Sequence, residues 1–325
     1  FLFSNITFEY FTNKDIIKNI KYICFGILPL SIINIHAESF RGYKNIPMYS
    51  ILRFTLIPII ACIILFLYEI LGFHNFHNPV TSYLLAIFIV CFVSIVIWFK
   101  KISFFKEKIK IENYSYKTML NIAFPMLLTT SMFYIIQWTD TLILSYYEYP
   151  SNIGIYNVAL KISMASSIVL FSINSIAAPQ YSKLFSLNKI DEFKNVVKFS
   201  SRLIFWFSTP IIIIIAANAE FILSIFGDDF IIGKASLLIL LIGQLVNILC
   251  GSVGYILMMT NKQTILRNIV FYSTLLNILL NFILIPRYGI VGSAISSTLS
   301  LALWNLCSVT YIYKKYRFIT ISIFK

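Results

Sequence analysis

Two ionisable side chains sit where a chain this apolar has little reason to place them. Asp140 is the only charged residue between Thr118 and Tyr147, and Lys161 the only one between Pro150 and Ser182. A charge at membrane depth costs about 2.5–3.5 kcal/mol on insertion scales, so it normally faces a cavity or a partner. A short connection separates the two runs, and both residues fall in the same half of their runs by residue count. An Asp140–Lys161 ion pair is therefore within reach. Three readings stay open: the two neutralise each other, Lys161 snorkels outward, or either one contacts a substrate or a coupling ion.

Asn277 and Asn281 are spaced i, i+4, which projects both amides from one helical face. The next apolar run offers Ser293, Ser296, Ser297, Thr298, Ser300 and Asn305. Such groups join membrane helices by hydrogen bonds, which accounts for most of them; their oxygens are also what a hard monovalent cation accepts. His74 and His77 have a His-x-x-His spacing with no carboxylate or cysteine beside them, which favours an interfacial location over a metal centre. The five cysteines fall singly within apolar runs and read as small buried hydrophobes. No nucleophile set, phosphate loop or paired carboxylate suits an enzyme.

The elements that must position these groups are long apolar helices. The composition is 59% hydrophobic and 12% charged, with mean hydropathy +0.84. Val80–Phe99, Ala235–Thr260, Asn268–Ile285 and Gly289–Tyr313 contain no Asp, Glu, Lys or Arg. About 20 apolar residues suffice to cross a bilayer core, and the absence of period-two alternation excludes a membrane barrel. The expectation is an all-α polytopic bundle with nine spans near 19–39, 49–71, 80–99, 117–147, 152–178, 199–221, 235–260, 264–285 and 289–313. Phe1–Phe8 reads as the end of another span, so an N-terminal portion is expected to be missing. Pro29, Pro58, Pro125, Pro179 and Pro210 are expected to interrupt spans and expose backbone to a cavity.

Alternate connections carry twenty of the 26 basic residues on one side and five on the other, with Lys161 inside a span. Positive residues accumulate on the cytoplasmic side, which places the first set and the C-terminus there. This explains the net charge of +13 without nucleic acid. Lys100–Lys110 could attract anionic lipid headgroups, although the same bias accounts for it. The basic stretch 100–116 separates three spans from six and is read as a linker between 1–99 and 117–325. The short outer connections leave no room for an extracytoplasmic catalytic domain.

Several stretches carry a family resemblance. Phe124-Pro125 through Trp138-Thr139-Asp140, then Gly154-Ile155-Tyr156-Asn157-Val158-Ala159-Leu160-Lys161, resemble the seventh and eighth helices of bacterial polysaccharide flippases. Ala178-Pro179-Gln180-Tyr181-Ser182-Lys183-Leu184 and Ile225-Phe226-Gly227-Asp228-Asp229-Phe230 are similar to the segments that follow, and Ser39-Phe40-Arg41-Gly42-Tyr43-Lys44 to the inside loop after the fourth helix. Asn277 through Asn281, then Ile285-Pro286-Arg287-Tyr288-Gly289-Ile290-Val291-Gly292-Ser293-Ala294, look like the last two helices and their tight outer turn. The chain thus resembles the Wzx-type flippases of O-antigen and capsule, whose superfamily includes MATE exporters and lipid II flippases.

The resemblance implies twelve helices in two six-helix lobes, of which helices four to twelve are present here. It implies an inner-membrane, non-enzymatic flippase that moves an undecaprenyl-diphosphate-linked oligosaccharide by alternating access. Polymerase and chain-length regulator of the same pathway are implied partners, besides membrane lipids. It also implies a sodium site at Asp140, Asn277, Asn281 and Ser297, with the Ser293 carbonyl a further ligand. Asn281 stands where a carboxylate is expected, which lowers the site charge and makes a proton on Asp140 the substitute coupling ion. Lys161, Arg41 and Arg53 are the candidate contacts for the diphosphate or an acidic sugar. The competing reading is a MATE-like exporter of cationic amphiphiles, although Asp140 is the single deep carboxylate in the spans.

Overall fold

The computed structural model describes residues 14–43, 45–71, 79–105 and 115–320, and among these every regular element is a helix. Without water to satisfy backbone groups, a spanning segment has to pair them internally. His74, His77, Lys44 and most of the expected 100–116 linker lie outside the described residues. The chain divides into two compact units, 1–112 and 113–325.

In the first unit, α1 (Lys14–Gly42), α2 (Ile46–Ile70) and α3 (Pro79–Phe105) pack around Ile33, Leu52, Ala86 and Val90. The Asn45 side chain opens α2 by accepting from the Met48 amide at 3.3 Å. Residues Ile51–Thr55 of α2 form a π turn. Pro58 follows, and its missing N–H leaves the Phe54 carbonyl without its helical partner, a local reason for the wider turn. The His36 ring stacks on Trp98 at 5.1 Å, and its Nδ1 lies 3.1 Å from Ser94 Oγ.

The second unit contains α4 (Tyr116–Tyr147), α5 (Pro150–Ala165), α6 (Ile168–Ser186), α7 (Ile190–Ala217), α8 (Ala219–Ser224), α9 (Lys234–Cys250), α10 (Val253–Met259) and α11 (Gln263–Tyr316). Tyr156, Ile204, Leu237 and Ile248 anchor one buried cluster; Phe193, Val197, Ile256 and Leu257 anchor another. Lys234 Nζ reaches Glu220 Oε1 at 2.6 Å and holds that exposed carboxyl below the usual range.

Helices interrupt where no proline stands, contrary to expectation. Pro29, Pro125, Pro179 and Pro210 lie inside continuous helices. The expected span 152–178 instead breaks at Ser166–Ser167 into α5 and α6, bent by 46°. There the Ser166 and Ser167 amides turn to carbonyls three residues back, and Ser167 Oγ donates to Gln244 Oε1 of α9 at 2.6 Å. The expected span 235–260 breaks at Gly251, whose φ of 71° and ψ of −142° suit glycine. A β-carbon there would stand 2.6 Å from Ser201 Oγ.

Among the described residues, six helices are long and apolar enough to cross a membrane, or seven if α5 and α6 form one bent span. One of the six is the 54-residue α11, which joins two expected spans. Gly289 interrupts it with φ 54° and ψ −131°. A β-carbon built on Gly292 would collide with the Leu284 carbonyl oxygen. Residues eight apart on a straight helix are about 12 Å apart along the axis, so α11 is a hairpin whose second arm folds back on the first.

Gly292→Val should therefore destabilise the protein more than Gly289→Ala, because its collision is with backbone of the other arm. Gly289→Ala should cost about 1–3 kcal/mol in backbone strain. Thermal melting of detergent-purified variants measures both, and an unchanged melting temperature for Gly292→Val would contradict the hairpin.

Candidate functional site

Asp140, buried in α4, is surrounded by donors from both arms of α11 and from α5. Its Oδ1 accepts from Asn281 Nδ2 at 2.7 Å and from Asn277 Nδ2 at 3.3 Å. Its Oδ2 accepts from Tyr156 Oη at 2.7 Å and from Ser297 Oγ. Asn281 Nδ2 also reaches Asn277 Oδ1 at 3.2 Å. Asp140, Tyr156, Asn277, Asn281 and Ser293 are each at most 1% exposed.

Simple spacing explains the convergence. Glu148 ends α4 and accepts from Asn152 Nδ2 at 2.6 Å. A β-carbon on Gly289 would lie 2.5 Å from Glu148 Oε1, so the α4–α5 turn and the α11 turn abut. Asp140 and Tyr156 each stand eight residues from Glu148, and Asn281 and Ser297 each eight from Gly289. Two helical turns, about 12 Å, bring all four to one level. Asn277 lies a turn deeper, and Ser293 a turn nearer the hairpin.

Two oxygens at or one turn from this level are unused. Asn281 Oδ1 and Ser293 Oγ are buried without a hydrogen-bond partner among the described residues. Buried polar atoms normally have partners. Together with the carboxylate and the Tyr156 and Ser297 hydroxyls, these are oxygens of the kind that a small hard cation would accept. Among the described residues no group of three or more His, Cys, Asp or Glu could hold a metal.

The family resemblance implies one site at Asp140, Asn277, Asn281 and Ser297, and the structure brings those four side chains together. Ser293 is adjacent but makes no bond to the carboxylate. The envisaged Asp140–Lys161 ion pair does not form, because Asp140 is met by neutral donors while Lys161 is exposed on α5. Tyr156 was not foreseen; inside an apolar run it reads as a core aromatic. Arg41 and Arg53 belong to the first unit. Arg53 Nη1 donates to Asn34 Oδ1, while Arg41 pairs with Glu38 at 3.4 Å and lies 5.3 Å from the Tyr49 ring centre. Asn34, Ile35, Glu38 and Ser39 line an open groove between these two contacts.

Asp140→Leu should destabilise the protein by several kcal/mol, since it orphans four buried donors at roughly 1–3 kcal/mol each. Tyr156→Phe removes one donor and retains the ring, so a loss of about 1 kcal/mol is expected. Equal melting shifts for the two variants would contradict the donor cage.

Residues 125–283 match the MatE family model. The probable low-salt glycan biosynthesis flippase Agl15 of Haloferax volcanii is 26% identical over 180 residues, covering 55% of this chain and 38% of that protein. The probable flippase AglR of the same organism is 24% identical over 177 residues, covering 53% and 37%. An uncharacterized membrane protein of Methanocaldococcus jannaschii is 24% identical over 256 residues, covering 76% and 49%. The chain spans about half or less of the length of these relatives. The crystal structure of a MATE point mutant superposes with a TM-score of 0.72 at 10% identity, covering 93% of this chain and 69% of that one. The chain is a multi-pass membrane protein with the fold of a MATE protein, and its MatE match contains Asp140, Tyr156, Asn277 and Asn281.

Proposed function

We propose that this chain acts in a flippase that carries a polyprenyl-diphosphate-linked glycan across the cytoplasmic membrane, with an undecaprenyl carrier as the expected lipid. The carrying observation is the buried Asp140 with its donor cage and two unused oxygens. A cation-driven transporter needs a carboxylate held at depth that can exchange internal donors for an ion. Asp140, Asn281, Ser293, Ser297 and Tyr156 would hold sodium; a proton on Asp140 would serve the same end. The ion supplies the driving force, and the chain supplies the cage that closes on the carboxylate when the ion leaves. A shift between two such arrangements requires only differential affinity for the ion.

The names of the Haloferax relatives favour glycan transport over drug export, and their chemistry suits the basic groups here. A diphosphate is matched by guanidinium forks, which makes Arg41 and Arg53 candidate headgroup contacts beside the Asn34–Ser39 groove. In the second unit Lys161 is the candidate contact for an acidic sugar. Pathway partners such as a polymerase and a chain-length regulator belong to the same proposal, as does a cytoplasmic C-terminus.

In the source organism, Asp140→Asn should abolish surface glycan and accumulate the complete lipid-linked repeat unit, with unchanged membrane levels of the protein. Normal glycan together with new sensitivity to cationic dyes would assign the chain to drug export. Proteoliposomes with an imposed sodium or pH gradient distinguish the coupling ion.

A further inference from the structure

The outer surface of α4 has a second feature that the ion site does not use. Tyr134, Gln137, Trp138 and Thr141 are spaced i, i+3, i+4, i+7 and share one helical face. Tyr134 is 55% and Trp138 61% exposed. Thr141 Oγ1 donates to Asn157 Oδ1 of α5 at 3.3 Å. One turn from that contact on α4 is Gln137, and one turn from it on α5 is Lys161. Both continue the same seam, within about 3 Å of one level along the α4–α5 pair, and both are exposed. Neither has a hydrogen bond or ion pair among the described residues.

Depth separates this patch from an interfacial aromatic belt. Tyr146, Tyr147 and Tyr149 are exposed at the outer end of the hairpin, where belt residues belong. Gln137 is ten residues further in, about 15 Å along the helix, roughly half the hydrocarbon thickness. An unpaired ammonium at that depth is costly against lipid, and the amide beside it adds to the cost, which favours a hydrated path along this face. Broad aromatic faces with an amide and a cation between them suit a pyranose. The rings stack on its apolar C–H face, the amide meets hydroxyls, and the ammonium meets a carboxylate or phosphate. The same ammonium repels a cationic amphiphile.

We infer that Tyr134, Gln137, Trp138 and Lys161 form a carbohydrate-reading face that contacts the sugar, rather than the diphosphate, of the transported lipid. The inference rests on the flippase reading. The test uses the full chain in nanodiscs with two radiolabelled probes, farnesyl diphosphate and farnesyl diphosphate bearing N-acetylglucosamine. The glycosylated probe should bind more tightly. Trp138→Ala should weaken it about 3- to 10-fold and leave the bare diphosphate unchanged, while Trp138→Phe should retain most of the affinity. If both probes bind and Trp138→Ala changes neither, or both equally, the sugar face is overturned and the flippase reading stands. If wild type binds neither probe, the flippase reading falls and the sugar face with it. Trp138-dependent binding of ethidium in place of the glycosylated probe overturns both.

Discussion

A carboxylate sealed among apolar helices must find every hydrogen-bond donor within the chain, and the second unit is organised around that demand. Asp140 draws on α5 and both arms of α11. None of its donors is charged. Neutral donors satisfy the carboxylate without burying a second charge beside it.

The supports of this site are polar as well. Gln244 of α9 receives the Ser167 hydroxyl where α5 gives way to α6, and Thr298 of α11 donates to the Ile239 carbonyl of α9 at 2.9 Å. Gly243 brings α9 close at that point, since a β-carbon would lie 3.1 Å from Thr298 Oγ1. Small residues and side-chain hydrogen bonds take the place of the hydrophobic driving force that lipid removes. The bend between α5 and α6 is thus a defined joint, and it lies on the helix that carries both Tyr156 and Lys161.

Much of this was legible in the residues, because apolar length and charge position are first-order physics. The span expected at 80–99 is the core of α3, and the one at 117–147 is α4 within a residue. The i, i+4 pair Asn277 and Asn281 shares one helical face as its spacing requires, and that face meets Asp140. The helix breaks were less legible. Ser166–Ser167 and Gly251–Ser252 are weak signals inside apolar runs, whereas proline is a strong signal that membrane helices tolerate. Tyr156 was hidden for another reason: its ring belongs to the core and only its hydroxyl to the site. Equal counting from the two turns would have found it, since Asp140 and Tyr156 flank Glu148 symmetrically.

That symmetry restricts how the gene can change. Four intervals of eight residues, two around Glu148 and two around Gly289, act as measured rods cut to one length. A single inserted codon in any of them turns its ligand by about 100° and shifts it 1.5 Å along the axis. Compensation from a neighbouring interval is not available, because each rod starts from a turn it shares with another. Substitution can therefore reshape this region over generations, but length variation has to accumulate at the opposite ends of the helices.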